Sequence, residues 1–493
     1  MITRFCYILI GLLLIAGCRG TMQVGIERTP TPDRSIPATL AALREENNRL
    51  ATRVAEQVEA LPTSIELGQL AYVQGGDIWI IPLLDEAVGP QRLTTDGYNR
   101  EPRWSPSGKW LAYRKERPMT LVEPSTSAPG NGLSALRRQV WVIQADGNGE
   151  HPLNQGLSVE IFVWSPKGDR LAYTMPGGGL SIINADGTDL ITLITPDTSI
   201  SLGERQIGQI YWSPDGRSIA YEWRIQPISR PTVSQELRII AADGGEPQEI
   251  YNAGIPDKSE LALVGWSSLG AEVLFVQDQF EQTSDTAALS GGQLYAVRVE
   301  AQPASATPRQ IASDEVLPYA DFVAPNPPVP LWQDREAVAL VVGKDRGTWT
   351  NKRIRSVGQF ITGEDLAAIS PAWSPQGDRL AFAAMPDRGE LSSDELTALL
   401  PRRVYLANAF GDPQLRALTK SNSYRDERPL WSSDGSYLLF ARLDAKGHAS
   451  LWIISAGGGV PRQVVDELTP APDPLEVFGH VGWDAYYDWW RGP

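Results

Sequence analysis

The chain has 493 residues and a formal net charge of −15, from 44 Lys and Arg against 59 Asp and Glu. Such an acidic surface repels phosphate backbones, which argues against a nucleic-acid partner. Apolar residues at 42% with 45 Gly and 38 Pro are typical of a turn-rich globular protein, not of a disordered or multi-span membrane chain. With two Cys and three His, a disulfide framework, a zinc site and His-dependent catalysis are not expected, and we predict no cofactor or metal.

The N-terminus carries the features of an export signal. Arg4 supplies a positive charge, and the apolar run from Phe5 to Ile15 is too short to span a bilayer. The run ends in Ile15-Ala16-Gly17-Cys18, which resembles the bacterial lipobox. We therefore predict a signal peptide over 1–17, lipidation at Cys18 and an extracytoplasmic location, anchored by lipid to the membrane of a bacterial envelope. The alternative is an ordinary signal peptide with an accidental cysteine.

A linker and a helix are predicted next. Residues 18–37 contain Thr29-Pro30-Thr31-Pro32, which favours an extended spacer. Residues 38–62 place apolar side chains at spacings near three and four, which predicts an amphipathic helix. Asn47 lies on that stripe and resembles the polar residue that sets register in coiled coils, so self-association through 38–61 is one interpretation. A single spacer helix is the other.

A tandem repeat fills residues 66–493. Its signature is Trp-Ser-Pro-x-Gly, present at Trp104, Trp164, Trp212 and Trp373, with looser copies at Trp266 and Trp431. Each copy is followed by a short apolar run such as Leu-Ala-Tyr, then by another apolar run and, in most repeats, an Asp-Gly or Gly-Gly turn. Short β-rich runs joined by such turns predict four-stranded antiparallel meanders. The fold class is therefore all-β, a β-propeller closed by N- and C-terminal strands and preceded by the short helical stalk.

The number of blades depends on two places in the sequence. Leu70-Ala71-Tyr72 lacks a preceding Trp strand, and Trp483 near the C-terminus is predicted to complete that blade, which leaves no free edge. Between Trp266 and Trp373, the segment around Trp332 follows the repeat order without the signature. Counting it as a degenerate blade predicts eight blades. The alternative is seven, with 310–365 as a large insertion.

The repeats resemble the TolB-type WD40-like repeat family over most of 67–485, through the Trp-Ser-Pro-Asp-Gly turn, the Leu-Ala-Phe/Tyr strand and the Asp-Gly turn. The resemblance implies a propeller and says much less about activity. Relatives include a periplasmic colicin-tolerance protein, propeller caps of prolyl-oligopeptidase-like enzymes and a few lyases. This chain differs by its lipobox, its repeat number and the missing small α/β domain, so a Tol-system role is not predicted.

The candidate binding residues lie where one strand four leads to the next Trp strand. Long insertions between strands two and three are expected on the same face, where a rigid scaffold usually carries its binding loops. Aromatic and Arg residues mixed with acids suit a protein or peptide interface. The predicted binding residues on this face are Tyr98, Arg100, Glu101, Glu160, Arg205, Tyr424, Arg425, Glu427 and Arg428.

The sequence thus predicts a lipid-anchored envelope propeller that binds a protein or peptide partner and has no catalysis of its own. No Gly-x-Ser-x-Gly elbow occurs, and His151, His448 and His480 do not form a recognisable ligand set. The alternative from another class is a glycan or cell-wall binder, or a propeller lyase, that uses the acidic residues Glu101, Glu160 and Glu427. A third is a mainly structural envelope protein that oligomerises through its stalk.

Overall fold

Short strands separated by turns dominate the computed structural model. It describes residues 67–83, 88–118, 136–197, 205–225, 234–253, 259–279, 292–300, 307–316, 331–332, 337–342, 353–356, 359–389, 400–470 and 481–492. The predicted export signal, Cys18, the predicted linker over 18–37, the predicted helix over 38–62 and His480 lie outside these residues. Within them the one helix is a 3-10 turn, Trp483–Ala485, and no helix could cross a membrane.

The strands form seven sheets, which makes the protein a seven-bladed β-propeller of antiparallel blades. We number the blades in chain order. Blade 1 contains β1 (Gln69–Gln74), β2 (Asp77–Pro82), β3 (Gln91–Arg92) and the last strand, β32 (Tyr487–Trp490). Blade 2 contains β4 (Asn99–Trp104), β5 (Trp110–Pro118), β6 (Leu136–Gln144) and β7 (His151–Pro152). Blade 3 contains β8 (Phe162–Trp164), β9 (Arg170–Met175), β10 (Gly179–Asn184) and β11 (Ile191–Ile194).

The second half of the chain continues the pattern. Blade 4 contains β12 (Arg205–Trp212), β13 (Ser218–Ile225), β14 (Ser234–Ala241) and β15 (Gln248–Asn252). Blade 5 begins with β16 (Ser259–Trp266), β17 (Glu272–Gln279), β18 (Gly292–Arg298) and β19 (Arg309–Val316). It continues with β20 (Leu331–Trp332), β21 (Ala337–Val342), β22 (Arg353–Ser356) and β23 (Gln359–Phe360). Blade 6 contains β24 (Leu366–Trp373), β25 (Arg379–Pro386), β26 (Arg403–Asn408) and β27 (Arg416–Ala417). Blade 7 contains β28 (Arg425–Trp431), β29 (Tyr437–Leu443), β30 (Ala449–Ser455) and β31 (Arg462–Leu468).

The prediction of eight blades is wrong, and the seven-blade alternative is the supported one. The strands between residues 331 and 360 do not form a separate sheet, because β21 pairs with β19 through Val316 and Val342. The segment therefore extends blade 5 into an eight-stranded sheet. Its repeat-like spacing was misleading, since spacing does not show whether a strand joins the preceding sheet or begins a new one.

The repeat signature forms the hairpin between the first and second strands of a blade. In blade 4 the buried Ser213 hydroxyl accepts a hydrogen bond from the Ser218 amide at 2.9 Å. Gly216 between them has a φ of 70°, a conformation that glycine adopts without steric cost. The same Ser-to-amide bond, 2.9 to 3.2 Å long, is made by Ser105, Ser267, Ser374 and Ser432. The signature is thus a satisfied turn, which explains its recurrence.

Blade 1 closes the ring by pairing its N-terminal strands with the C-terminal β32. In every other repeat the signature Trp lies opposite the first residue of the Leu-Ala-Tyr run, as Trp104 lies opposite Leu111. In blade 1 the residue opposite Leu70 is Trp489. The prediction that Trp483 belongs to the closing strand is therefore wrong. Trp483 lies in the 3-10 turn just before β32.

The signature Trp side chains also link consecutive blades. In four of them the indole Nε1 donates to the carbonyl oxygen just before the signature Trp of the preceding blade. The bonds run from Trp164 to Arg103, from Trp212 to Val163, from Trp266 to Tyr211 and from Trp431 to Ala372, at 3.0 to 3.3 Å. The first strands of neighbouring blades thereby pack side by side around the central channel. Apolar residues of the second and third strands fill the spaces between blades.

Candidate functional site

One face of the propeller, which we call the long-loop face, carries the turns from strand two to three and the connections to the next blade. Consecutive connections in a meander alternate between its two faces, so the turns from strand two to three share a face with the connections that lead to the next blade. Most of the predicted long insertions fall on residues 119–135, 226–233, 280–291 and 390–399, which lie outside the described residues. Of the predicted residues, Tyr98, Glu160 and Tyr424 lie just before the first strand of a blade. The others lie within first strands: Arg100, Glu101, Arg205, Arg425, Glu427 and Arg428.

A rim pocket of about 490 Å³ opens on this face where blades 7, 1 and 2 meet. It is lined by Gly75, Gly76, Gly97, Tyr98, Asn99, Arg100, Glu116, Thr469 and Pro470. Tyr98 is 45% exposed. Arg100 is partly buried, and its guanidinium makes no hydrogen bond or ion pair with the rest of the described chain. An aromatic ring and an unpaired guanidinium at the edge of a pocket provide apolar contact and charge recognition together.

Beneath the rim pocket lies a rigid polar network centred on the buried Asn99. Its amide nitrogen donates to the carboxylates of Asp77 and Asp96 and to the hydroxyl of Thr94, at 2.5 to 3.1 Å. The Asp96 carboxylate also accepts from Lys115 at 3.0 Å and from Arg117 at 2.7 Å. Although burial alone raises the pKa of Asp96, these donors lower it to about 2. The segment that presents Tyr98 and Arg100 is therefore fixed in place before any ligand arrives.

A second cavity, the channel cavity, occupies about 510 Å³ at the propeller axis. It is lined by first strands from several blades and by the segment around β32. Two of the predicted residues, Glu101 and Arg428, line it, and both have a positive φ, 54° and 48°. Each sits at a bulge, because the pairing register shifts between Arg100 and Arg103 and between Glu427 and Leu430. The two bulged strands thus place an acid and an arginine at the same cavity.

A chain of alternating charges runs along the channel cavity. The Arg114 Nε donates to Glu101 Oε2 at 2.6 Å. The Arg103 Nη2 lies 3.8 Å from both Glu101 Oε1 and Asp484 Oδ2, and Arg103 Nη1 donates to the Asp484 carbonyl oxygen at 2.7 Å. Arg428 in turn pairs with the Asp484 carboxylate. Burial alone lowers the pKa of Arg428, but Asp484 and the neighbouring β32 residues raise it above its ordinary value, so this guanidinium stays charged.

Arg425 and Glu427 do not reach the surface. They are 2% and 1% exposed and form an internal ion cluster with Arg402. The Glu427 Oε1 accepts from Arg402 Nη1 and from Arg425 Nε, each at 2.5 Å, and Glu427 Oε2 accepts from the Trp483 indole at 3.0 Å. Burial and the neighbouring Arg425 lower the pKa of Arg402, which Glu427 opposes. A buried carboxylate held by two guanidiniums joins blades 6 and 7 and is not accessible to a partner.

The remaining predicted residues lie apart from both cavities. Glu160 is exposed, and partial burial raises the pKa of its carboxyl while Arg138 opposes the shift. Its carbonyl oxygen accepts from Arg114 at 2.9 Å. Arg205 is 47% exposed and pairs with Asp197 at 3.1 Å. Tyr424 is 38% exposed, and the Arg442 guanidinium lies 4.6 Å from its ring centre. The structure therefore does not gather all nine residues into one site.

Sequence reasoning missed the contribution of the C-terminal segment. Asp484, Asp488 and Arg491 line the channel cavity, although none belongs to a recognisable repeat. A signal was available, because Trp489 can be aligned with the Trp of the signature strands. Among the described residues no group of three His, Cys, Asp or Glu side chains is placed to hold a metal ion.

Comparisons with known proteins report on the fold. No protein-family model and no curated protein matches the chain. Among solved structures, Porphyromonas gingivalis dipeptidyl peptidase 4 is similar with a TM-score of 0.52 and 14% identity, over 80% of this chain and 57% of that one. TolB from Acinetobacter baumannii gives a TM-score of 0.35 and 10% identity, over 84% of this chain and 67% of that one. The resemblance of the repeats to the TolB-type family remains a prediction.

The prediction that the chain has no catalysis of its own is corrected by these comparisons. The similar structure with the TM-score of 0.52 is a peptidase. A propeller of this kind therefore does not separate enzymes from other proteins. At 14% identity the likeness shows the fold alone, and this chain spans only 57% of that peptidase.

Proposed function

We propose that this chain is a lipid-anchored envelope protein whose propeller binds a protein or peptide segment through the long-loop face. The observation that carries the proposal is the rim pocket with its exposed Tyr98 and its unpaired Arg100. Tyr and Arg are the residue types that most often dominate binding energy at protein interfaces. The lipobox-like end of the export signal supports the anchor.

The rigid network beneath the pocket strengthens the proposal. Ordering a flexible loop on binding costs free energy, and a loop that is already fixed avoids that cost. Here Asn99, between the two proposed contact residues, is fully buried and bonded on several sides. The similarity of the fold to a peptidase is consistent with a peptide ligand, since peptidases act on peptides.

The alternative of a glycan ligand or a propeller lyase has no specific observation in its favour. Of its three acids, Glu427 is buried and neutralised, and Glu101 is paired with Arg114. Glu160 is exposed and lines neither cavity. A pair of carboxylates facing one substrate is therefore not formed by these residues.

The interaction is tested by photo-crosslinking in cells that express the full-length chain. A photoreactive amino acid replaces Tyr98 in one variant and Val460 in the control. Val460 is 92% exposed in the turn between β30 and β31, on the opposite face. We expect a discrete adduct from position 98 and none from position 460, and we expect Arg100→Glu to remove the adduct. An adduct that forms equally at both positions, or one that survives Arg100→Glu, contradicts the proposal.

The anchor is tested separately by replacing Cys18 with Ser. We expect the native chain to be found in the membrane fraction and to incorporate labelled fatty acid. We expect the Cys18→Ser variant not to incorporate the label. Label that persists in Cys18→Ser contradicts lipidation at this cysteine and leaves the rim proposal untouched.

A further inference from the structure

The ring of indole bonds between blades is broken where the propeller closes. By register, Trp489 is the signature Trp of blade 1, so the repeat pattern assigns the Asp488 carbonyl oxygen as acceptor for the Trp104 indole. Instead, the Asp488 carboxylate accepts from the Trp104 backbone amide at 2.7 Å. The Trp104 Nε1 is buried and has no hydrogen-bond partner among the described residues. Trp104 as a whole is only 6% exposed.

A second buried donor lacks a partner beside the same cavity. Arg428 uses Nη1 on the Tyr487 carbonyl oxygen at 3.2 Å and Nη2 on the Asp484 carboxylate. Its Nε has no acceptor within the described part of the chain. Arg428 and Trp104 both line the channel cavity. A buried donor without an acceptor costs free energy, so two of them at one cavity point to a missing acceptor group.

The charges around the cavity identify the kind of acceptor. Three guanidiniums, those of Arg103, Arg428 and Arg491, and three carboxylates, those of Glu101, Asp484 and Asp488, line the cavity. Arg114 lies outside this lining but pairs with Glu101, so the charged cluster has one more guanidinium than carboxylates. Arg491 is the exposed member and forms no ion pair with other described residues. The three carboxylates are already engaged by arginines or by backbone amides. A guest with one negative charge and two acceptor oxygens would satisfy both donors and balance the charge.

We propose that the channel cavity binds a carboxylate through Trp104 Nε1 and Arg428 Nε, with Arg491 supplying the balancing charge. The carboxylate belongs either to a small organic acid or to the C-terminus of a peptide. The peptide source rests on the proposed function, whereas the small-acid source does not. The site is separate from the rim pocket, because the two cavities have no lining residue in common.

The test measures thermal stabilisation of the full-length chain by three probes at matched ionic strength. The probes are sodium acetate, acetyl-trialanine with a free C-terminus and acetyl-trialanine amide. Stabilisation by acetate identifies a small-acid site, and stabilisation by the free tripeptide alone identifies a peptide terminus. A ligand effect of the amide equal to that of the free acid, or no effect of any probe beyond sodium chloride, overturns the proposal.

Two matched variants assign the effect to the named donors. Trp104→Phe removes the unpartnered N–H, and we expect about tenfold weaker binding, as for loss of one hydrogen bond to a charged group. Trp266→Phe removes an indole N–H that is already bonded to the Tyr211 carbonyl oxygen at 3.0 Å, and we expect unchanged probe affinity. Trp104→Phe with native affinity overturns the assignment.

A second pair of variants covers the case in which Trp104→Phe does not fold. Arg491→Gln removes an exposed charge beside the cavity, and Arg205→Gln removes a charge at the start of β12, which is not part of the cavity lining. We expect weaker carboxylate binding in Arg491→Gln alone. Equal affinity in both variants contradicts the charge argument. Loss of carboxylate binding with an intact Tyr98 crosslink would separate this site from the proposed rim function.

Discussion

The first strands of blades 2 and 7 place opposite chemistry at the same positions. By register, Arg100 corresponds to Glu427, and Glu101 corresponds to Arg428. Both strands bulge at the second of these positions, with nearly equal positive φ. Yet Glu427 is buried and bonded to two guanidiniums, whereas Arg100 has no ion-pair partner in the described chain.

The residue on the adjacent strand explains much of this difference. Arg100 lies opposite Arg114, a like charge that Glu101 already neutralises. Glu427 lies opposite Ala441, which carries no charge, and draws its partners from Arg402 and Arg425 instead. Like charges directly opposite each other are unfavourable, so Arg100 is left available at the pocket. The same strand position thus holds a buried structural residue, Glu427, in blade 7 and a residue available to a ligand, Arg100, in blade 2.

The largest expected effect comes from disrupting the buried ion cluster of blade 7. Glu427→Gln leaves two buried guanidiniums without their carboxylate, and we expect a loss of about 3 to 5 kcal/mol in the free energy of unfolding. Urea denaturation measures it. The control is Glu160→Gln, an exposed carboxyl, for which we expect a change within about 0.5 kcal/mol. Similar losses in both variants would mean that the cluster does not hold blades 6 and 7 together.

The second prediction compares the signature Trp residues of the same two blades. Trp431 donates its indole N–H to the Ala372 carbonyl oxygen at 3.0 Å, whereas the Trp104 N–H has no partner among described residues. Phe substitution removes similar volume at both positions. We therefore expect Trp431→Phe to lower the free energy of unfolding by about 1 kcal/mol more than Trp104→Phe does. Equal losses by urea denaturation would show that Trp104 finds an acceptor in solution.

The third prediction concerns the network under the rim pocket. The pKa of Asp96 is about 2 in the folded protein, below its ordinary value of 3.8. The folded state therefore binds this proton less readily, and the resulting stability is present above about pH 4 and lost as pH falls toward 2. Asp96→Asn should cost less than about 1 kcal/mol at pH 7, because solvent screens the partly exposed carboxylate. In denaturation series that difference from the native chain should shrink below about pH 4 and vanish as the pH falls through about 2. A pH-independent difference would mean that charge is not its cause.

Much of the fold was predictable because each repeat contains the residues that its turns require. The Ser hydroxyl and the positive-φ glycine of each signature fix the first hairpin, and the strands follow at regular spacing. The closing strand was harder to predict, since either Trp483 or Trp489 could be the signature Trp of blade 1. Only the pairing of Trp489 with Leu70 shows which one it is. The prediction of the blade count was wrong because it also depended on a strand pairing. The pairing of β21 with β19 has no signal in the local sequence.

The candidate site was predictable only in part. Four of the predicted residues, Tyr98, Arg100, Glu101 and Arg428, do line cavities. Burial of Arg425 and Glu427 was not predictable, because their partner Arg402 comes from a different blade. Charge in a sequence shows that an ion pair can form and does not show which arginine will be used. The unpartnered donors arise from the geometry of ring closure, which a repeat pattern does not contain.

The smallest expected effect on stability is also the sharpest test of the comparison. Arg100→Gln removes the like-charged neighbour of Arg114 and breaks no bond within the described chain. We therefore expect the free energy of unfolding to stay within about 0.5 kcal/mol of the native value, with a slight gain as the favoured direction. The same variant should lose the crosslink from position 98, whereas Arg205→Gln should keep it. A clear loss of stability in Arg100→Gln would place this arginine with Glu427 as a structural residue, and the distinction between the two strands would then fail.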